Sequence, residues 1–376
     1  MEKDNPFTLS VYAGPAYFCD RIIETEKIIS AIENHRNITL ISHRRMGKSG
    51  LIKHVFHKLR NEKKLSLFYI DIMDTEDLSG FINLIAKEII GKVDKSTMNV
   101  IKVFSTIVKS LRPKISIDQL TGSPQIEISV QHDAAPEQSL TEIFEYLQKQ
   151  EKHVIIALDE FQQITNYPEK NVEAMLRKSI QQLSNSTFIF SGSQKHLLLS
   201  MFSNYGRPFY QSSELLNLLK IDKEIYKTFI LSAFKKTNRT IDQSALKFIL
   251  NQTQIHTFYV QYLCNKLYSL PQKDINEKIA ADTLLDILEE NEVVYFNYKT
   301  LLTRLQFKLL EAIAKERGIS KPTSKDFIGK YKLGTPSSVK TALVSLLKKE
   351  MVYLDESKTM VYDIFFAKWL ERRIQS

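Results

Sequence analysis

Three consecutive residues near position 48 have the types and the order that bind a phosphate chain. In the segment 41–52, ISHRRMGKSGLI, Gly47, Lys48 and Ser49 match the end of the pattern G-x-x-x-x-G-K-[ST]. In such a loop backbone N–H groups and a helix N-terminus converge on phosphate oxygens, the lysine neutralises charge, and the hydroxyl binds Mg²⁺. The predicted nucleotide-binding residues of this segment are Arg45, Met46, Gly47, Lys48, Ser49 and Gly50.

Ser42 departs from this pattern, because it stands where the first glycine is expected. Glycine reaches backbone angles that serine adopts less readily. The loop by itself is therefore an incomplete match, and a second motif is needed to decide whether it binds a nucleotide.

The second motif is a pair of carboxylates at the end of an apolar run. The segment 153–160, HVIIALDE, ends in Asp159 and Glu160. At the carboxyl end of a buried strand, Asp159 would reach the magnesium ion and Glu160 an attacking water. The alternative is that both carboxylates cap the helix that follows. Two motifs in this order favour the catalytic interpretation, with Ser49 and Asp159 as metal ligands.

Further polar residues follow the next strand and the loop after it. Ser193 ends the run 187–193, TFIFSGS, and Gln194 follows it; both are predicted to sense or orient the γ-phosphate, although a plain turn explains them nearly as well. Phosphoryl transfer commonly uses an arginine besides the loop lysine. Arg207 is the preferred candidate and Arg177 the second, and each could instead be a structural or surface arginine.

The elements that must position these residues form an α/β pattern. Helical segments separate four apolar runs, which lie at 37–42, 65–72, 153–160 and 187–193. Strands that alternate with helices predict a parallel sheet that is covered on both faces. We predict an α/β domain over residues 1–212, with a β-hairpin inserted at about 112–132 around a Thr-Gly-Ser-Pro turn.

The rest of the chain predicts two smaller domains. Residues 213–296 read as a helical lid, and residues 297–376 as three helices followed by two short strands, the order of a winged helix-turn-helix. Thr323 is the predicted N-cap of its second helix. Thr335 would cap its third, with Pro336 at the first helical position.

Composition limits the class of protein. The 376 residues are 43% hydrophobic and 25% charged, which is typical of a globular protein of more than one domain. No signal segment and no apolar run long enough for a bilayer is present in this sequence, so we expect a cytoplasmic protein without a membrane partner. Cys19 and Cys264 lack the spacing of a zinc site or a disulfide framework, and buried thiols are expected.

Positive charge is concentrated at the C-terminus. The formal net charge is +9, and residues 301–376 hold 15 Lys or Arg against 8 Asp or Glu. This excess of positive charge would attract a polyanionic partner. A solvated basic surface without a partner explains it about equally well. In the third helix of the winged domain, Val339, Leu343, Leu346 and Leu347 are predicted to face the core. The residues predicted to be outside are Ser337, Ser338, Lys340, Thr341 and Lys348. Double-stranded DNA is slightly favoured over a protein partner.

The ordered motifs resemble the prokaryotic archaeal-type ATPases of the STAND/AAA+ branch of P-loop proteins. The resemblance covers nearly the whole chain. It rests on Asn5-Pro6-Phe7, Phe18-Cys19-Asp20-Arg21, Arg44-Arg45-Met46-Gly47-Lys48-Ser49, Leu158-Asp159-Glu160-Phe161-Gln162, Phe190-Ser191-Gly192-Ser193-Gln194, Arg207-Pro208-Phe209-Tyr210 and residues 362–370, YDIFFAKWL.

The resemblance implies an ASCE-type P-loop sheet, a helical lid, a C-terminal winged helix, and ATP or ADP with Mg²⁺ as cofactors. In this family the Arg-Arg-x-Gly-Lys-[Ser/Thr] loop is usual, so Ser42 is tolerated. The family places Asp20 and Arg21 near the base, and His256 could approach the nucleotide from the lid. Two departures are Ile22, where an acidic residue is usual, and residues 255–259, IHTFY, where the lid motif has glycine and proline.

These features predict an ATP-dependent switch that hydrolyses ATP slowly through Glu160, with help from Lys48 and Arg207, and couples this to the winged helix. The alternative is a nucleotide-binding scaffold with little or no hydrolysis. A small-molecule kinase is disfavoured, because a winged helix has no role in that chemistry. The oligomeric state is not predicted.

Overall fold

A computed structural model describes residues 5–9, 12–92, 108–117, 124–130, 136–355 and 357–373. The chain divides into two compact units. One holds the described residues of 10–220, and we call it the α/β unit. The other holds those of 5–9 and 221–373, and we call it the C-terminal unit. The predicted boundaries at 212 and 296 stay predictions.

The α/β unit alternates strands and helices. Its helices are α1 (Ile22–Glu33), α2 (Lys48–Leu59), α3 (Leu78–Lys92), α4 (Pro136–Gln148), α5 (Val172–Gln181) and α6 (Lys195–Ser203). Its strands are β1 (Ile38–Ile41), β2 (Leu65–Asp71), β3 (Leu111–Ile117), β4 (Pro124–Val130), β5 (His153–Asp159), β6 (Ser186–Ser191) and β7 (Glu214–Asn217).

Among the described residues, β1, β2, β5, β6 and β7 form one parallel sheet in the order β2-β5-β6-β1-β7. The predicted α/β class with a P-loop type of sheet is confirmed. Strands β3 and β4 pair antiparallel, from Leu111 opposite Val130 to Ile117 opposite Pro124, as the hairpin prediction required. The predicted turn at 121–123 lies outside the described residues.

The sheet separates two hydrophobic cores, because successive side chains of a strand point to opposite faces. Along β5, Ile155 and Ala157 pack with α1 and α2, through residues such as Leu51. Ile156 and Leu158 pack on the other face with α3 to α6. Helices on both faces leave the strand interiors buried, which is why these strands read as continuous apolar runs.

The register of the sheet brings several strand ends to one edge. Asp71 at the end of β2 lies opposite Asp159 at the end of β5. Leu158 lies opposite Phe190 in β6, and Leu40 of β1 lies opposite Ser191. The polar residues that follow β1, β5 and β6 therefore start from neighbouring positions.

The C-terminal unit consists mainly of helices. They are α7 (Lys223–Lys235), α8 (Gln243–Gln252), α9 (Thr257–Ser269), α10 (Glu277–Glu290), α11 (Glu292–Leu301), α12 (Arg304–Lys315), α13 (Lys325–Tyr331), α14 (Pro336–Lys348) and α15 (Ile364–Arg373). Its short strands are β8 (Thr240–Ile241), β9 (Asp274–Ile275), β10 (Val352–Asp355) and β11 (Lys358–Val361). β10 and β11 pair antiparallel and form the predicted wing.

The first described residues also belong to this unit. Phe7 is fully buried and contacts the rings of Phe229, Phe234 and Tyr268. The Asn265 amide donates a hydrogen bond to the Phe7 carbonyl oxygen at 2.6 Å. The predicted α/β domain over residues 1–212 includes this segment, because nothing in the order of the residues reveals a contact over such a separation.

Of the two helix caps predicted for the winged helix, one is confirmed and one is wrong. The Thr335 hydroxyl accepts a hydrogen bond from the Ser338 N–H and Pro336 begins α14, as predicted. The prediction for Thr323 is wrong. Ser324 is the N-cap of α13, since its hydroxyl accepts from the Phe327 N–H at 3.4 Å. The helix begins one residue later than expected.

The faces of α14 agree largely with the prediction. Val339 and Leu346 are buried, whereas Leu343 and Leu347 are half-buried and Ala342 takes a core position instead. The positions predicted to be outside are all exposed: Ser337, Ser338, Lys340, Thr341 and Lys348.

Cys19 and Cys264 are buried free thiols. Over the described part of the chain, every helix is too short or too polar to cross a membrane.

Candidate nucleotide site

The phosphate loop joins β1 to the N-terminus of α2. Gly47 is the N-cap residue of α2 and has φ 95°, a left-handed conformation that strains any residue with a Cβ atom. Arg45 is also left-handed, with φ 62°. Lys48 is the first residue of the helix, so the N-terminal N–H groups of α2 follow directly on the loop. This is the arrangement that the sequence motif predicts.

Ser42 does not simply replace a glycine, because its oxygen atoms bind the loop lysine. The ammonium group of Lys48 donates to Ser42 Oγ at 3.1 Å and to the His43 carbonyl oxygen at 3.1 Å. Both side chains are buried, with 1% of Ser42 and 6% of Lys48 exposed. Burial lowers the pKa of Lys48 to about 8, against the charges of Asp159 and Glu160, which raise it.

Asp159 lies at the centre of a hydrogen-bond network at the end of β5. Oδ2 accepts from Ser49 Oγ at 2.6 Å and from the Tyr69 hydroxyl at 2.5 Å. Oδ1 accepts from Ser191 Oγ at 2.5 Å and from the Glu160 N–H at 3.1 Å. The structure therefore brings the two predicted metal ligands, Ser49 and Asp159, into direct contact.

Tyr69 and Ser191 are site residues that the sequence analysis did not assign. In the β2–β5 register Tyr69 lies opposite Ala157, and side chains two apart on a strand share a face, so Tyr69 and Asp159 point to the same side. Burial raises the pKa of Tyr69 well above its usual range, and the negative charge of Asp159 raises it further. The phenol therefore stays protonated and donates.

Glu160 is oriented by residues that follow β5 and β6. Its Oε2 accepts from the Ser193 N–H at 3.0 Å, from Ser193 Oγ at 2.8 Å and from Gln162 Nε2 at 2.6 Å. Glu160 precedes the short 3-10 helix Phe161–Asn166, and its side chain does not cap that turn. The carboxylate thus faces the end of β6. Gln194 is next along the chain and precedes α6.

Arg21 joins the start of α1 to the phosphate loop. Its side chain is 4% exposed and donates to the Met46 carbonyl oxygen at 3.4 Å. It also pairs with Glu24 at 2.9 Å. Asp20 and Arg21 both have left-handed backbones, with φ 57° and 68°, which turn the chain into α1. Ile22, at the position where the family has an acid, is exposed, and Glu24 supplies the carboxylate for Arg21.

The two predicted arginines lie with α5. Arg207 forms an ion pair with Glu173 in the first turn of α5, and its Nε is buried without a hydrogen-bond partner among the described residues. Burial raises the pKa of Glu173, against the charge of Arg207. Arg177 lies beside Gln181 on the same helix. The printed sequence offers no reason to expect the Glu173 pairing, and the catalytic role of Arg207 stays a prediction.

His256 belongs to the C-terminal unit. It precedes α9, is 7% exposed, and contacts the ring of Tyr259 with the centroids 5.1 Å apart. Its approach to a nucleotide stays a prediction.

The donor set at the strand ends fits a magnesium ion. Mg²⁺ prefers oxygen ligands and binds through one or two protein groups together with substrate phosphates. Ser49 Oγ and Asp159 Oδ2 supply such oxygens 2.6 Å from each other. Asp71 lies opposite Asp159 in the register, and burial raises the pKa of its carboxyl.

The family of the chain follows from a match over most of the α/β unit and the start of the C-terminal unit. Residues 18–253 match the family described as "ATPase domain predominantly from Archaea". The chain belongs to this ATPase family. Residues 293–372 of the chain match a second family, described as "Probable winged helix domain". The predicted family and the predicted C-terminal winged helix are confirmed. Among curated proteins, none matches the sequence significantly.

Solved structures share the fold of this chain. A Walker-type ATPase of Pyrococcus abyssi is 17% identical, with a TM-score of 0.68 over 97% of this chain and 99% of that chain. The ORC2 protein of Aeropyrum pernix, solved in ADPNP–ADP complexes, is 12% identical, with a TM-score of 0.58 over 100% and 99%. The Aeropyrum pernix ORC1 protein in complex with DNA is 11% identical, with a TM-score of 0.51 over 95% and 94%.

Proposed function

We propose that this protein binds MgATP at the phosphate loop, hydrolyses it slowly, and acts as a nucleotide-dependent switch. The observation that carries the proposal is the direct hydrogen bond between Ser49 and Asp159 beside the buried ammonium of Lys48. Buried charged and polar groups of this kind are costly to fold unless a ligand or a partner uses them. Membership in the ATPase family supports the same function.

Each residue of the candidate nucleotide site has a role in the proposed reaction that follows from its position. Lys48 offers a positive charge at the N-terminus of α2, where backbone N–H groups also attract phosphate oxygens. Ser49 and Asp159 would hold Mg²⁺, which neutralises charge on the phosphates when bound. Tyr69 and Ser191 orient the Asp159 carboxylate through their hydroxyl groups. Glu160 serves as the base for the attacking water.

Arg207 and His256 complete the proposal. Arg207 stabilises the charge of the transition state once it leaves Glu173, and His256 contacts the nucleotide. Asp20 and Arg21 lie near the base, while Ser193 and Gln194 respond to the γ-phosphate. Of these, Arg21 has the most direct support, since it contacts the carbonyl oxygen of Met46 in the loop.

The partner that we propose for the winged helix is double-stranded DNA. Exposed Lys340 and Lys348 on α14 supply positive charge, and Ser337 and Thr341 on the same helix supply hydroxyl groups for phosphate contacts. The net positive charge of residues 301–376 adds to the attraction. The Aeropyrum pernix ORC1 protein, which shares the fold, was solved in complex with DNA.

The test measures ATP hydrolysis by the wild-type chain and by Glu160→Gln, each with and without duplex DNA. We expect turnover in the wild type, its loss in the variant, and an increase with DNA. Turnover that persists in Glu160→Gln would remove Glu160 as the base. Bound ATP without turnover in any condition would favour the nucleotide-binding scaffold instead.

A further inference from the structure

The Glu160 carboxylate is held through one of its two oxygens. Its Oε2 accepts three hydrogen bonds, two from Ser193 and one from Gln162 at 2.6 Å. No described residue donates a hydrogen bond to Oε1. Three donors on a single oxygen restrict the rotation of the carboxylate and leave the other oxygen available to a ligand or a water.

The place of Gln162 in this arrangement has visible structural costs. Gln162 is 2% exposed. The oxygen of its side-chain amide, Oε1, is buried without a hydrogen-bond partner among the described residues. A Cβ atom at Gly192 would lie 1.9 Å from that oxygen, so residue 192 must lack a side chain to admit the amide. Glu160 itself has a left-handed backbone, with φ 56°, which is unfavourable for residues other than glycine.

Packing alone does not account for a glutamine at this position. An apolar side chain of similar size would fill the same space and would leave no unpaired carbonyl oxygen. Among the described residues, the hydrogen bond to Glu160 is the side-chain hydrogen bond of Gln162 that an apolar replacement would lose. Buried polar groups that remain partly unsatisfied are a mark of functional constraint.

We propose that Gln162 is a positioning residue for ATP hydrolysis, which with Ser193 holds Oε2 of Glu160 so that Oε1 accepts the proton of the attacking water. The inference rests on the proposed function, in which Glu160 is the base. As the proton moves to Oε1, the water oxygen forms a bond to the γ-phosphorus. The bond from that phosphorus to the bridging oxygen breaks, and its electron pair leaves with ADP.

The test replaces Gln162 with leucine in the full chain. We expect kcat of Gln162→Leu to fall roughly tenfold or more, the order expected for one hydrogen bond to a charged group. We expect three quantities to stay close to wild type: the KM for ATP, the dissociation constant of ATP and the melting temperature. The reason is that the loss of the hydrogen bond is offset by removal of the unpaired amide carbonyl. A merely structural residue would change the melting temperature or KM together with kcat.

Gln163→Leu is the matched control, because it makes the same substitution at the next residue of the chain. Gln163 Nε2 donates to the Thr75 carbonyl oxygen at 2.9 Å and not to Glu160. We expect its kcat to remain within about twofold of wild type, since this half-buried hydrogen bond goes to a neutral carbonyl and does not contact Glu160. An equal loss of kcat in both variants would overturn the inference.

Two further variants protect the test against misfolding. Gly192→Ala displaces the amide of Gln162 without changing it, and we expect the same loss of kcat. Gln162→Leu should not lower the residual hydrolysis rate of Glu160→Gln any further, because groups that act as a unit are not additive. A full additional loss there would show that Gln162 does not act through Glu160.

The outcomes separate this inference from the proposed function. No turnover by the wild type would overturn both. Turnover that Glu160→Gln abolishes but Gln162→Leu leaves unchanged would overturn the positioning role and leave the ATPase proposal intact. Faster turnover in Gln162→Leu would also overturn it, since the contact would then restrain Glu160 instead of positioning it.

Discussion

Two polar regions of this protein differ in where their charge lies. At the nucleotide site Lys48 and Asp159 are 6% and 3% exposed, and the side chains that donate hydrogen bonds to Asp159 come from β2, β6 and α2. On α14 of the winged helix, Lys340 and Lys348 are exposed to solvent. The first region is an assembled interior, and the second is a charged surface.

The difference decides how each region responds to change. A buried charge interacts strongly with its neighbours because water does not screen it, whereas an exposed charge is screened by salt within about 10 Å. Substitutions at the nucleotide site therefore have large effects that depend on one another. Substitutions on α14 have small effects that add and that depend on ionic strength.

The largest effect is expected at Lys48. Lys48→Ala removes the charge at the start of α2, and we expect the affinity for ATP to fall at least about 100-fold, or roughly 3 kcal/mol. Isothermal titration calorimetry measures it. Lys58→Ala is the control, since Lys58 is exposed on the same helix and should leave binding unchanged. Unchanged affinity in Lys48→Ala would remove the phosphate-loop assignment.

Asp159→Asn should show the next largest effect, and only in the presence of magnesium. The amide keeps the shape of the side chain but loses the charge that attracts Mg²⁺. We expect the affinity for ATP with Mg²⁺ to fall about tenfold or more, while the affinity in EDTA stays near wild type. Asp74→Asn, at an exposed carboxylate after β2, is the control. An equal loss with and without Mg²⁺ would contradict a metal-ligand role.

Tyr69→Phe should have a smaller effect of the same kind. The variant loses the hydroxyl that donates to Asp159 Oδ2 at 2.5 Å but keeps the ring. We expect the Mg²⁺ concentration for half-maximal ATP binding to rise by about threefold to tenfold, because a group that hydrogen-bonds to a metal ligand modulates the affinity of the site for the metal. Tyr205→Phe, 86% exposed, is the control. An unchanged Mg²⁺ requirement would make Tyr69 a packing residue.

Tyr69 also shows where sequence reasoning ends. Lys48, Ser49 and Asp159 could be predicted because each belongs to a local motif whose residues are adjacent in the chain. Tyr69 reaches Asp159 only through the β2–β5 register, which pairs it with Ala157 two residues before the strand end. No local pattern specifies that register. The same holds for Phe7, which packs with residues more than 200 positions away.

The fold itself was more accessible than the site. Apolar runs separated by helical patterns predicted the parallel sheet, because both faces of such strands are buried. Ser193 and Glu160 follow the neighbouring parallel strands β6 and β5, and the structure brings them within 2.8 Å. Gln162 belongs to the same motif as Glu160, yet its contact depends on the absent side chain at Gly192. Such steric requirements are visible only in three dimensions.

The smallest effects are expected on α14. Lys340→Ala and Lys348→Ala should each weaken binding of the full chain to duplex DNA about twofold to fivefold at 0.1 M salt. Each should also reduce the slope of log K against log salt by about one, the amount expected for one lost phosphate contact. Fluorescence anisotropy over a salt series measures both quantities. ATP affinity should not change in either variant.

The double variant sharpens the contrast with the nucleotide site. If α14 acts as a charged surface, the losses of Lys340→Ala and Lys348→Ala add, because exposed charges that are separated along a helix interact weakly. Lys27→Ala, at an exposed position of α1 in the α/β unit, is the charge-matched control and should leave the salt slope unchanged. An equal reduction in Lys27→Ala would mean that DNA is attracted by net charge alone. Binding that is independent of salt would exclude phosphate contacts by α14, and a protein partner would then fit the winged helix better.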